Sequence, residues 1–267
     1  MGKRLKSMGR REGITLTDLE KTKVDYDIDV DKELQKYIEK YEDYKREIIE
    51  KSNWIDKDLG MPNNGLKFIF GHAFFRGRSD DLSEKYRKST IKLLGLETDE
   101  QAVPKLLEDD ESTIKDKLKS VLTNPKDIDM VNSILQFMRD TNTNNLYEYF
   151  KTIITKEKNG LYKAYYQLDS IKQIGDKLAT FIIRDIVLIN SEYKANFDVV
   201  EYQLMFPVDR WVREKGKDLL KDQNIDDPHL KSGLIELCKD KTYSDPLAPL
   251  KLNVGIYWIG TNQPKER

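Results

Sequence analysis

The stretch Ile171-Lys172-Gln173-Ile174-Gly175-Asp176-Lys177-Leu178-Ala179 decides the reading of this chain. A helical pattern over 158–168 leads into it and a second helix begins near Asp176, so Gly175 lies in a tight turn between two helices. A helix start of this kind presents unpaired backbone N–H groups, which suit a phosphate. On the second helix Leu178, Ile182, Ile186 and Ile189 form a core stripe; Lys177, Phe181, Arg184 and Leu188 form the stripe beside it. Lys177 therefore stands in the first turn, next to apolar surface and the positive end of the helix dipole. Both features favour the neutral amine that a lysine nucleophile requires.

Downstream comes Phe206-Pro207-Val208-Asp209-Arg210-Trp211-Val212. Asp209 follows a proline-fixed entry and opens a helix, so its plainest role is that of an N-cap.

Outward from these two segments the pattern stays helical. Leu34, Tyr37, Ile38, Tyr41 and Ile48 share one face of a helix that Asp31 would cap, and Met61-Pro62-Asn63-Asn64-Gly65 reads as a loop. Leu66 to Leu94 reads as two helices with a break near Gly77–Asp81, where Asp81 and Glu84 have capping-box spacing. Further helices are expected over 101–122, 127–140, 144–155, 210–222, 229–239 and 249–259, with 193–205 ambiguous between helix and strand. There is no fixed-period repeat and no low-complexity tract. The expected class is mainly α.

Composition narrows the function. Among 267 residues, 46 Lys plus Arg face 47 Asp plus Glu, a net charge of −1, which rules out a globally basic nucleic-acid coat but not a local basic groove. With 10% aromatic residues the chain has ample material for a packed core. The lone Cys238 excludes a disulfide framework, a cysteine-ligated zinc site and a four-cysteine iron–sulfur cluster; His72 and His229 are too few for a multi-histidine metal site. Neither a signal peptide nor an apolar run long enough for a membrane span is visible, so a soluble intracellular protein (cytoplasm or nucleoid) is expected. Residues 1–12 form a basic tail that is either frayed or a phosphate-contacting arm.

The hairpin with Gly175 and Lys177, followed by Pro207-Val208-Asp209, resembles the helix-hairpin-helix (HhH-GPD) DNA glycosylase superfamily. Its pattern is roughly Leu-Pro-Gly-Val-Gly-x-Lys, then Pro-Val-Asp. Lysine at position 177 is similar to the bifunctional glycosylase/lyase branch. Phe181, and the long separation between Lys177 and Asp209, are most like the archaeal 8-oxoguanine DNA glycosylase (AGOG) group. The segment Pro249-Leu250-Lys251-Leu252-Asn253-Val254-Gly255-Ile256-Tyr257-Trp258 resembles that group's C-terminal pocket helix, with Asn253 where an Asp is expected. Two further departures are Lys172 in place of Pro and Gln173 in place of the first hairpin Gly. The match covers roughly the C-terminal hundred residues.

The resemblance implies a single unit over 1–267, built of two helical lobes with the DNA groove between them, the hairpin at 158–190 and the Pro-Val-Asp turn with its helix at 206–222. It implies a monomer that acts on double-stranded DNA and excises an oxidised purine, 8-oxoguanine first, with AP-lyase cleavage and without metal or organic cofactor. Lys177 would be the nucleophile and Asp209 its electrostatic partner. Phe181, Asn253, Tyr257 and Trp258 would form the base pocket, while Gln173 and Gly175 would hold the DNA backbone. Of Tyr257 and Trp258, only one is expected to stack on a base. Trp211, directly after the turn, is either pocket or packing.

In Phe70-Gly71-His72-Ala73-Phe74-Phe75-Arg76-Gly77-Arg78, Arg76 and Arg78 are the further candidates for DNA phosphates, and His72 reads as a satisfied core histidine. The alternatives are the same scaffold acting on another damaged base, and a non-catalytic helix-hairpin-helix protein that binds DNA without chemistry.

Overall fold

The computed structural model describes residues 28–52, 54–75, 79–190, 197–240 and 245–262. Among them are fourteen α-helices and no strand: α1 (Ile28–Tyr44), α2 (Asp56–Leu59), α3 (Pro62–Ala73), α4 (Asp80–Leu93), α5 (Ala102–Glu108), α6 (Glu111–Leu118), α7 (Pro125–Asp140), α8 (Leu146–Lys156), α9 (Gly160–Ser170), α10 (Asp176–Ile189), α11 (Val199–Gln203), α12 (Arg210–Leu220), α13 (Asp227–Asp240) and α14 (Ala248–Asn262). A π-helical stretch, Lys45–Glu50, continues α1. The protein is mainly α.

Helix α10 lies at the heart of the packing, against α3, α8 and α9. Its Leu178, Ala179, Ile182, Ile183, Ile186 and Val187 are all buried. Burial of each large aliphatic side chain contributes about 1.5–3 kcal/mol, so this stripe fixes the helix firmly.

The second organising contact joins α1 to α14. Helix α14 is apolar nearly all round, and Leu250 through Ile256 are buried apart from the half-buried Lys251. At Gly255 the two backbones meet: a Cβ there would lie 1.7 Å from the Tyr37 carbonyl oxygen. Only glycine permits so close an approach. On α1, Leu34, Tyr37, Tyr41 and Tyr44 are buried at steps of three and four.

Several local expectations are corrected. Asp31 does not cap α1, because the helix starts earlier, at Ile28. The 61–65 segment is not a loop: Pro62 occupies the first helical turn, where its missing N–H costs nothing, and α3 runs through Gly65. Gly65 lies against Asn145, whose amide donates to the Leu59 carbonyl at 2.8 Å. Asp81 is not a cap either; Ser79 holds that position without a side-chain hydrogen bond, and Asp80 and Asp81 fall in the first turn of α4. The expected 101–122 helix is two helices, parted at Asp109–Asp110, where the Asp110 carboxylate accepts from the Thr113 N–H at 2.9 Å. The ambiguous 193–205 segment contains the short helix α11, started by a capping box of Asp198 and Glu201; residues 193–196 lie outside the described residues.

No described helix is long and apolar enough to cross a membrane. Among the described residues, no group of three or more His, Cys, Asp or Glu side chains could hold a metal ion.

Candidate active site

The turn between α9 and α10 is anchored from below. Ile171 and Ile174 are buried, and the Ile174 N–H donates to the Ile171 carbonyl at 2.9 Å. Between them Gln173 takes φ +73°, in the left-handed region. The demand for that conformation thus falls on Gln173 and not on Gly175, which caps α10 in an extended conformation with φ −99°. A left-handed non-glycine residue costs on the order of 1 kcal/mol. Gly175 is exposed, with nothing within 4 Å of where a Cβ would stand. The space in front of the helix start is therefore open. Lys172 is engaged elsewhere, its ammonium 2.7 Å from Asp129 Oδ2. Asp176, in the first turn, accepts from the Tyr165 hydroxyl at 2.5 Å.

Lys177 is exposed in that first turn. Among the described residues its ammonium has neither an ion pair nor a hydrogen bond; Nζ rests 5.6 Å from the centre of the Phe181 ring. Such a cation–π contact contributes about 0.5–1 kcal/mol at an exposed site, enough to orient the side chain and too little to sequester it. Phe181 is half-buried and also meets the Arg184 guanidinium at 4.7 Å and the Tyr257 ring edge-on at 6.2 Å.

The Asp209 charge on the Pro-Val-Asp turn also reaches Tyr257. Burial, and then the charges of Asp80, Asp209 and Asp185, push its hydroxyl up to about 12 against the opposing pull of Arg184. Asp209 is buried at 7% exposure and caps α12, with Oδ1 accepting from the Val212 N–H at 2.8 Å. Its Oδ2 accepts no hydrogen bond from any described residue. The cap role read from the sequence is thus present, and it occupies only one of the two oxygens.

The C-terminal aromatics divide. Tyr257 faces Phe181, whereas Trp258 packs edge-on against Tyr44 at 6.1 Å. Trp211 lies against Gly260, where a Cβ would come within 2.3 Å of the indole, and carries the Arg210 guanidinium over its ring.

Asn253 lies in the interior. It is fully buried, with Nδ2 donating to the Pro207 carbonyl and Oδ1 accepting from Arg184 Nη1, both at 2.9 Å. Each end of its amide thus carries one hydrogen bond to the protein. Arg76 and Arg78 lie outside the described residues. His72 is buried, as read from the sequence, with its ring nitrogens 3.0 Å from the Phe68 carbonyl and 2.9 Å from Asp185 Oδ2.

Three residues that sequence reasoning did not assign to the site complete it from beneath: Arg184, Asp185 and Tyr44. Arg184 Nε donates to Asp185 Oδ1 at 2.8 Å, and the Tyr44 hydroxyl donates to Asp185 Oδ2 at 2.9 Å. Burial alone would raise the Asp185 carboxyl, but Arg184 and His72 outweigh it and hold the group well below the usual carboxylate range. A continuous buried chain thus runs from the Pro207 carbonyl through Asn253, Arg184 and Asp185 to His72 and Tyr44. It ties α1, α3, α10 and α14 to the turn that carries Asp209. The available signal was the adjacent pair Arg184-Asp185 inside an otherwise apolar helical run.

Comparison with family models, curated proteins and solved structures finds no match to this chain.

Proposed function

We propose that this protein is a bifunctional DNA N-glycosylase and AP lyase of two-lobed helix-hairpin-helix architecture, acting as a monomer inside the cell. Its substrate would be double-stranded DNA carrying an oxidised purine, 8-oxoguanine first. The observation that carries the reading is the exposed Lys177 at the start of α10, without an ion pair among the described residues and linked through the Phe181 ring to Tyr257, on which the Asp209 charge also acts. The open helix start at Gly175 is a place for a backbone phosphate.

A base inside a duplex hides its glycosidic bond, so the damaged nucleotide first leaves the stack, at a cost of a few kcal/mol. The Phe181 and Tyr257 rings offer aromatic surface to the extruded base. Lys177, having given its proton to solvent or to Asp209 Oδ2, attacks C1′ with its lone pair. The base departs with the electrons of the glycosidic bond and takes up a proton. Asp209 stabilises the positive charge that develops on the sugar. Opening of the sugar ring gives the Schiff base. Loss of a C2′ proton then expels the 3′ phosphate and cuts the strand.

The test is borohydride trapping on a duplex containing 8-oxoguanine, with an abasic duplex and the Lys177→Ala variant alongside. A covalent band on 8-oxoguanine that vanishes in the variant is expected. A band on the abasic duplex alone would keep the lyase and discard this base as substrate. No band on either would overturn the lysine chemistry and leave a monofunctional enzyme or a DNA-binding protein.

A further inference from the structure

A second candidate lies away from Lys177 and Asp209, in an open surface groove of about 390 Å³ where the end of the π-helical stretch meets α3 and α4; Lys51, Lys88 and Lys92 on its wall are exposed. Its wall includes Lys51, Lys67, Arg87, Lys88 and Lys92, and among the described residues Glu97 is the one acid that lines it. Three of these cations already have partners: Lys51 pairs with Glu47, while Arg87 and Lys88 share Glu84 at 2.6 and 3.2 Å. Lys67 and Lys92 have neither an ion pair nor a side-chain hydrogen bond among the described residues. Lys67 is half-buried on α3, so its ammonium has lost water without gaining a counterion in contact. The Glu97 charge offsets part of that loss from a distance, and an anion in contact would offset more of it.

The rest of the wall narrows the ligand. Trp54 borders the groove, yet it is only 9% exposed; its ring stacks on His72 at 5.3 Å and covers Gly71. No aromatic face is left open for a base or other flat ring to stack on. Lys67 on α3 and Lys92 on α4, lining one groove, suit a compact group with more than one negative charge, and a phosphate has that charge and several acceptor oxygens.

We propose that this groove binds a phosphate dianion, either free or carried by a nucleotide or nucleic-acid strand. The site uses none of the residues assigned to glycosylase chemistry, so it stands or falls independently of that reading.

Isothermal titration of the full chain at low ionic strength tests it, with inorganic phosphate, pyrophosphate, a nucleoside 5′-monophosphate and a single-stranded oligonucleotide as probes and acetate as control. Saturable phosphate binding is expected. It should weaken about tenfold or more in the Lys67→Ala/Lys92→Ala variant and persist in the Lys67→Arg/Lys92→Arg variant. Binding of the oligonucleotide alone, with the same sensitivity, would identify the strand backbone as the source of the phosphate. Three results would each overturn the proposal: no saturable binding of any phosphate probe, equal binding of acetate, or equal binding by the alanine variant with an unchanged circular dichroism spectrum.

Discussion

At the start of α10, Lys177 is exposed, and among the described residues its ammonium meets just the Phe181 ring. Two turns further along the same helix, Arg184 and Asp185 are buried, paired with each other and with partners on three other helices. The two ends share one backbone and one apolar stripe, yet they use charge oppositely. An ionic group kept in the interior must have its lone pairs and protons matched, because each unmatched one carries its full desolvation penalty. A group at the rim avoids that penalty and stays available to a substrate. The helix is therefore rigid where its charges are satisfied and chemically open where one is not.

The contrast breaks most sharply at Lys177. Lys177→Ala should reduce cleavage of a lesion-containing duplex by roughly a thousandfold or more, while the unfolding free energy in urea changes by less than about 0.5 kcal/mol. A large loss of stability would place Lys177 among the structural charges and erase the distinction.

Asp185→Ala should do the reverse. It strands the Arg184 guanidinium and removes the acceptor for Tyr44 and His72, at a cost of about 3–5 kcal/mol in urea unfolding. Acid probes the same group without mutation. Because the folded carboxyl is held below its ordinary value of 3.8, its contribution is present above that pH and is lost progressively as the pH falls below it. Acid unfolding monitored by circular dichroism should therefore steepen below about pH 4, and the Asp185→Ala variant should lack that component.

Asn253→Leu sharpens the link between the two regions. It leaves Arg184 Nη1 and the Pro207 carbonyl unpaired, so a loss of about 1–3 kcal/mol is expected in urea unfolding. Gln173→Gly gives the smallest effect and the opposite sign. Relief of the left-handed strain should stabilise the protein by up to about 1 kcal/mol in thermal unfolding, less the greater chain entropy of glycine. Destabilisation would mean that the Gln173 side chain matters more to the turn than its backbone.

What could be read in advance was local. The three- and four-residue spacing announced α10, the proline-fixed entry announced the Asp209 cap, and the apolar setting of His72 announced a satisfied histidine. Short-range competition defeated other expectations. Pro62 and Asn63 carry turn chemistry, yet a proline in the first turn suits a helix, and Asn145, far along the chain, receives Gly65. At α4, Ser79 took the cap position, and neither it nor Asp81 bonds the helix start through its side chain. The floor of the candidate site was the least legible part. Nothing near Asn253 in the sequence indicates that its amide is shared between Arg184 and Pro207, or that Tyr44 reaches Asp185. Such pairings belong to tertiary packing, and single-residue pattern has no access to them.

The contact of Gly255 with the Tyr37 carbonyl carries a kinetic consequence. It closes a loop over almost the whole described chain, and the entropy of closing a loop grows with its length. The α1–α14 pair thus raises the mean sequence separation of native contacts in a helical protein whose neighbouring helices could otherwise assemble quickly. Folding should accordingly run in two tempos. The α8–α9–α10 hairpins form from nearby segments, and the seam between the first and last described helices zips up late, bringing Tyr257 to Phe181 only when it does. The candidate site would then be among the last places in the molecule to become native.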